Sequence, residues 1–410
     1  YLRALAIDEK ALGPEHPSTA TSLNNLADLY ESQGLYSKAE PLYLRALAIA
    51  EKVLGPDHPE TVTTLDNLAS LYRHQGLYGK AESLYLRVLK IREKQLEPES
   101  LEIATSHQLL GLLYIDQNFY SKAEPLLLSA LAIKQKLFGS ESIRIAASLG
   151  NLGLIYLYMG QYDKAKHFFL RAIGIRERAL GFEHLSISTT LMNLAVLYRE
   201  QRQYDKAEPL FQRAIAIKEK ALGPVHQSLA YDFTNLAGFY RLQGKYAKAE
   251  PLYLKALEIR KRTIGSNHAL TAVTLHGLAQ LYAELRLYSH AEPLFLQSLA
   301  IQEKFRGTEH PSVAASLYGL ANLYAQHGRY SQGEPLIRRS FQIQLILIQR
   351  EAPYLPLATR QVFVQRFGYS SETVFTWSSH GRSGANLALF ARLNRQGLLE
   401  EIEKRQAQLA

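Results

Sequence analysis

The chain has 410 residues, 47% hydrophobic, 21% charged and 10% aromatic, which places it among globular proteins and outside the disordered class. Lysine and arginine outnumber aspartate and glutamate by 47 to 38, for a formal charge of +9, and the absence of cysteine excludes disulfides, thiolate metal sites and a cysteine nucleophile. No apolar run approaches the roughly 20 residues of a membrane span, and Tyr1 to Lys10 alternates charged and apolar positions as a helix does, not as a signal peptide does. A cytoplasmic setting is the expectation.

Starting at Tyr1 in mid-pattern, the chain reads as an excerpt of a longer protein. Residues 1–17 form half of a repeat, and eight repeats of 42 residues follow. Gly13, Gly55, Gly139, Gly181, Gly223, Gly265 and Gly307 fall on one grid that only Glu97 interrupts. Tyr30, Tyr72, Tyr114, Tyr156, Tyr198, Tyr240, Tyr282 and Tyr324 form a second complete column, and the Tyr36 to Tyr330 series a third. Ala39 opens a column of small residues that runs to Ala291 and ends in Gly333, as close helix contact requires. In the first unit a helix is predicted over about Thr19 to Gln33, because Leu23, Leu26, Ala27 and Tyr30 share one face, and Gly34 ends it. A second is predicted over about Ser37 to Val53, and Leu54-Gly-Pro-Asp-His-Pro59 leads into the next unit. One such pair cannot bury both its faces, so neighbours must stack into a solenoid.

Leu23-Asn-Asn-Leu-Ala-Asp-Leu-Tyr30, with Gly34, Tyr36, Ala39, Tyr43 and Ala46, resembles the tetratricopeptide repeat. The 42-residue period, eight longer than usual, is similar to the repeats of kinesin light chains and of many bacterial scaffold proteins. The resemblance covers 1–349 and implies an all-α, right-handed superhelical solenoid that binds protein or peptide partners. From Arg350 the grid stops, and 350–410 is expected to be a helical connector, with Pro353, Pro356 and the single Trp377. The stretch from Ser383 to Ala410 resembles the connector before the CHAT domain, a caspase-like peptidase domain found notably in cyanobacterial proteins. That implies a neighbouring domain beyond Ala410, not an activity within this chain.

First helices of such solenoids line the concave face. Asn25, Asn67, Asn151, Asn193 and Asn235 form a column there, replaced by Leu109, Gly277 and Gly319 in other units. An amide donates and accepts, so a row of them can grip an extended peptide by its backbone; the competing reading is that they mend contacts between neighbouring repeats. Further along the same helices Arg73, Arg199 and Arg241, with His74, are expected to favour an acidic peptide, unless they form only a solvated face. The varied column Asn24, Asp66, Gln108, Met192, Thr234, His276 and Tyr318 suits side-chain readout, and Leu109, Leu112 and Ile115 suit an apolar anchor.

His16, His58, His184, His226, His268 and His310 share a column, but they lie a whole repeat apart, too far for one metal ion at ~2 Å ligand distances. They are read as turn residues that position the following helix. Basic residues recur beside acids instead of forming the stripe of a nucleic-acid binder, and no phosphate loop, His-Glu-x-x-His or Gly-x-Ser-x-Gly occurs. No enzyme activity, cofactor, metal or nucleic acid is therefore expected. The alternative to peptide binding is an architectural or self-associating solenoid.

Overall fold

The computed structural model describes residues 1–33 and 35–351. Gly34 and residues 352–410, including Trp377 and the connector read from Ser383 to Ala410, lie outside the described residues. Among the described residues there are seventeen α-helices, one 3-10 turn and no strand. After α1 (Leu2–Leu12) come the pairs α2 (Pro17–Ser32) with α3 (Tyr36–Val53), α4 (Pro59–His74) with α5 (Tyr78–Gln95), and α6 (Leu101–Asp116) with α7 (Tyr120–Phe138). A 3-10 turn, Ile143–Ile145, precedes α8 (Ala146–Tyr158), which pairs with α9 (Tyr162–Leu180). Then follow α10 (Leu185–Glu200) with α11 (Tyr204–Leu222), α12 (Gln227–Leu242) with α13 (Tyr246–Thr263), α14 (Ala269–Glu284) with α15 (Tyr288–Arg306), and α16 (Pro311–Gln326) with α17 (Tyr330–Glu351). This is an all-α solenoid of helix pairs, with predicted boundaries displaced by one or two residues. It divides into two compact units, Tyr1–Gln117 with Lys122–Ser148, and Asn118–Ser121 with Leu149 onward.

The repeating residues explain the repeating joints. Gly13, Gly55, Gly139, Gly181, Gly223, Gly265 and Gly307 all have φ between +82 and +99, a backbone that side chains resist. Where Glu97 replaces glycine, α5 ends instead through an extended Leu96 at φ −120. After every glycine turn but that of Gly139, the histidine that follows is the N-cap of the next first helix: the Nδ1 atoms of His16, His58, His184, His226, His268 and His310 accept backbone N–H bonds of 3.1–3.3 Å. These imidazoles thus do the work usually done by serine or aspartate, satisfying an orphan donor of the first turn. Ser100 and Ser142 do it in the two places without histidine.

Within a pair, the turn after the first helix needs a left-handed residue. Gly76, Gly160, Gly244 and Gly328 supply it, but Asn118, Arg202 and Arg286 adopt it at φ 58–60. A Cβ in that conformation is disfavoured by about 1–2 kcal/mol. Arg202→Gly is therefore expected to stabilise the second unit by about 1 kcal/mol, seen as a higher denaturant midpoint with an unchanged helical spectrum; an unchanged or lower midpoint contradicts it.

The core is built from the small column and its neighbours: Ala39, Ala81, Ala123, Ala165, Ala207, Ala249 and Ala291 are fully buried, and Tyr43, Tyr85, Phe169, Phe211, Tyr253 and Phe295 fill the space beside them. The tyrosine column ties each pair to the one before. Tyr72, Tyr114, Tyr240, Tyr282 and Tyr324 donate their hydroxyls at 2.8–3.1 Å to Glu40, Glu82, Glu208, Glu250 and Glu292 of the preceding second helix. Lys80, Lys122 and Lys248 lie over the faces of Tyr72, Tyr114 and Tyr240. On the outside, Arg45–Glu9, Arg87–Glu51, Arg213–Glu177 and Arg339–Glu303 bridge successive second helices at 2.6–2.7 Å. No described helix is long and apolar enough to cross a membrane.

Candidate peptide-binding face

First helices of successive pairs touch directly, α2 with α4 in the first unit, and α10, α12, α14 and α16 in sequence in the second. On the first helices of the first unit Asn25 is exposed and Asn67 half-buried, and on those of the second unit Asn151, Asn193 and Asn235 are half-buried. The Asn235 amide donates to the Tyr231 carbonyl of its own helix at 3.0 Å. The side chains of Asn25, Asn67, Asn151 and Asn193 make no hydrogen bond among the described residues.

The column's two glycines have a steric cause. A Cβ on Gly277 would lie 2.6 Å from the Tyr253 ring of the preceding pair, and one on Gly319 would lie 2.5 Å from Phe295. This position therefore borders the seam between pairs, and its asparagines stand at the margin of the exposed face. Of the apolar residues predicted in the third pair, Leu109 and Leu112 are half-buried, while Ile115 belongs to the core.

The arginines have acidic neighbours. Arg73 lies 3.5 Å from Asp116 of the next first helix and also bonds His74 at 3.3 Å. Arg199 pairs with Glu200 at 2.7 Å, Arg241 pairs with Glu284 of the next first helix, and His74 reaches back to Glu31 at 2.8 Å. Side-chain exposures of 18%, 17% and 14% for Arg73, Arg199 and Arg241 leave little guanidinium surface open. The Nε atom of each is buried without a hydrogen bond.

The varied column expected to read partner side chains is structural, which corrects that reading. Asn24, Asp66, Gln108 and Thr234 of this column take part in polar contacts at junctions between pairs. Asn24 donates to Thr64 at 2.7 Å, and Asp66 accepts from Arg92, which also donates to Ser106, both at 2.7 Å. Lys134 donates to Gln108 at 2.6 Å and to Ser148 at 3.3 Å. Next come Arg176 with Thr190, Lys218 with Asp232 at 2.8 Å, and Arg260 with Thr274, while Thr234 also bonds Thr274 at 3.0 Å. Met192 is fully buried at the same position, and His276 packs edge-on to Phe295. Burial, aided by the Arg241 guanidinium, pushes the His276 imidazole down to about 4. A neutral ring wedged in a junction is a packing element.

Sequence comparison gives this architecture its family. The tetratricopeptide repeat family matches residues 1–52, 32–94, 63–136, 101–178, 144–220, 186–232, 227–304 and 284–345. The chain belongs to the tetratricopeptide repeat family. None of the curated proteins compared matches it. Among solved structures, this tetratricopeptide chain is similar to the nearly identical TPR-like repeats described as kinesin light chain from Podosopora anserina, with 28% identity and a TM-score of 0.42 over 51% of this chain and 99% of that one. BtubC (BKLC) from P. vanneervenii shares 27% identity, with a TM-score of 0.45 over 54% of this chain and 92% of that one. A Rap protein complexed with Competence and Sporulation Factor is 13% identical, with a TM-score of 0.62 over 93% of this chain and 99% of that one, which shows a common fold. Among the described residues no group of three or more His, Asp or Glu side chains is placed to hold a metal ion.

Proposed function

We propose that the tetratricopeptide solenoid binds an extended partner peptide along its first-helix face, as a protein–protein interaction scaffold. The observation that carries this is the set of amides at one position of the first helices, Asn25 and Asn67 in the first unit and Asn151 and Asn193 in the second, with no hydrogen bond to the protein among the described residues. Asn235 would join them by turning from its bond to the Tyr231 carbonyl. Backbone recognition by amides tolerates many side chains, so selection falls to the neighbouring charges. Arg73, Arg199 and Arg241 with His74 favour an acidic segment, whose carboxylates would compete with Asp116, Glu200 and Glu284 for the guanidinium groups. A Rap protein of the same fold was crystallised with Competence and Sporulation Factor, so the fold can hold a ligand. By its resemblance to a CHAT connector, the stretch from Ser383 to Ala410 suggests that the solenoid is the recognition region of a larger caspase-like protein.

The test compares the chain with a variant carrying Ala at Asn67, Asn151, Asn193 and Asn235, matched for helicity by circular dichroism. Each captures partners from a source lysate, and the captured segment is then titrated as a synthetic peptide. With each amide contact worth about 1 kcal/mol, affinity should fall about a hundredfold or more. Added salt should weaken an acidic peptide more than its neutral amide analogue. Equal capture by both proteins would remove the asparagine face as the site, and concentration-dependent self-association without ligand would favour the architectural alternative.

A further inference from the structure

The glycine grid breaks at the end of the last pair, and the longer helix that results reaches a distant turn. Gln349 stands where Gly181, Gly223, Gly265 and Gly307 end the earlier second helices, so α17 runs to 22 residues, against 18 or 19 for α9, α11, α13 and α15. Its added turn carries Arg350 and Glu351 to Asn118–Ser121, a segment that belongs to the second unit. The Ser121 N–H donates to Glu351 Oε2 at 3.0 Å, and Arg350 donates to the Asn118 carbonyl at 2.8 Å. The Arg350 guanidinium lies over the Phe119 ring, 3.9 Å from its centre, and its Nε donates to Glu351 at 2.8 Å. The Asn118 amide meets the ring of His310, which caps α16, at 3.2 Å. These partners are 192 to 232 residues apart in the chain.

Both sides of this contact depart from the repeat. Phe119 stands where other pairs have Leu77, Gln161, Gln203 or Leu287, and Asn118 stands where Gly76, Gly160 and Gly244 make the turn. Glu351 is only 1% exposed. The helices α9, α11, α13 and α15 begin without a side-chain cap, whereas a first-turn amide of α7 is satisfied by a carboxylate delivered from α17. From α9 to α17 each helix packs on the next, so small changes at successive joints add up to a change of curvature. A contact that skips the joints between fixes their sum. We propose that Arg350 and Glu351 form a latch on Asn118–Ser121 that holds the second unit at one curvature, and that its release lets the pairs from α9 to α17 unbend. The first helices that carry Asn193 and Asn235 lie within that series, so the latch also sets how far apart those two amides stand.

Hydrogen exchange on the intact chain reads the latch at a single amide. After correction for intrinsic rates, Ser121 should exchange about tenfold or more slowly than Asp163 and Asp205, its counterparts in α9 and α11, the worth of one charge-assisted bond. Glu351→Ala removes the acceptor and should bring Ser121 to their rate. Phe119→Leu leaves Ser121 and Glu351 in place and restores the residue that Leu77 supplies in the second pair. Because a latch opens as one, this change should also speed Ser121 severalfold; a cap confined to α7 would not respond. Small-angle X-ray scattering of both variants, matched to the parent in helicity by circular dichroism, should show a larger radius of gyration. The proposal is overturned by a Ser121 amide that exchanges as fast as Asp163 in the parent, by Ser121 protection that survives Phe119→Leu, or by a radius of gyration that neither variant changes.

Discussion

Replacing Asp232 by Ala should destabilise the second unit by about 3–5 kcal/mol, because it leaves Lys218 in the junction without its counter-charge. Asp232 is fully buried, Lys218 is 6% exposed, and their charged atoms are 2.8 Å apart. Residue-resolved exchange in α11 and α12 is the proper measure, since a solenoid unfolds in parts. The double change Lys218→Met with Asp232→Leu should recover most of the loss, because it removes the buried charge together with its partner. A single change that costs under about 1 kcal/mol would show that water reaches the lysine. The pair also carries a pH signature. Burial raises the Asp232 carboxyl to about 6 against the opposing pull of Lys218. Its folded value thus exceeds its unfolded one, so its contribution to stability is greatest below about 4 and is lost as pH rises through about 6. Asp232→Asn should abolish that slope.

Two glycines in one helix pair should answer the same substitution with opposite signs. A Cβ on Gly153, in α8, would lie 2.5 Å from two ring atoms of Phe169. The ring is fully buried and has no room to retreat. Gly153→Ala should cost about 1–3 kcal/mol through overpacking, and Phe169→Leu in the same chain should relieve part of it. Gly174, in α9, meets nothing nearer than the Arg178 guanidinium at 4.0 Å. Gly174→Ala should therefore stabilise by about 1 kcal/mol through helix propensity alone. Thermal midpoints that move in the same direction for both would refute the steric account.

Much of the fold is legible in the sequence because each pair repeats the same packing problem. The Tyr30, Ala39 and Gly13 columns recur because a packed ring at the end of the first helix, a close helix approach and a positive-φ turn recur with the 42-residue unit. Junction chemistry is not legible in the same way. Asn24 and Asn25 are adjacent in sequence, yet about 100° of helix rotation turns one into the seam and the other toward the face. Because each junction solves its polar pairing separately, Asn24, Asp66 and Gln108 look like a variable ligand column. The arginines mislead for a related reason: the carboxylates that meet Arg73 and Arg241 are Asp116 and Glu284, each 43 residues downstream, and only the stacking brings them together. The six histidines are readable as turn residues, but their capping role depends on Nδ1 facing a backbone donor, a matter of rotamer that the pattern does not encode.

The charged pairs at the junctions also bear on how such a gene can be inherited. Tandem repeats are open to unequal crossing-over, and an in-register exchange of 42 residues keeps the repeat spacing. It does not preserve the pairing. An in-register loss of residues 219–260 would leave every helix intact but set Lys218 against Thr274, with Asp232 gone. Recombinants that keep a cation and its own carboxylate together, as when Asp66 and Arg92 move in one block, escape this penalty. The paired charges at these two junctions thus act as order marks, because a shuffled neighbour would leave one of them without its partner.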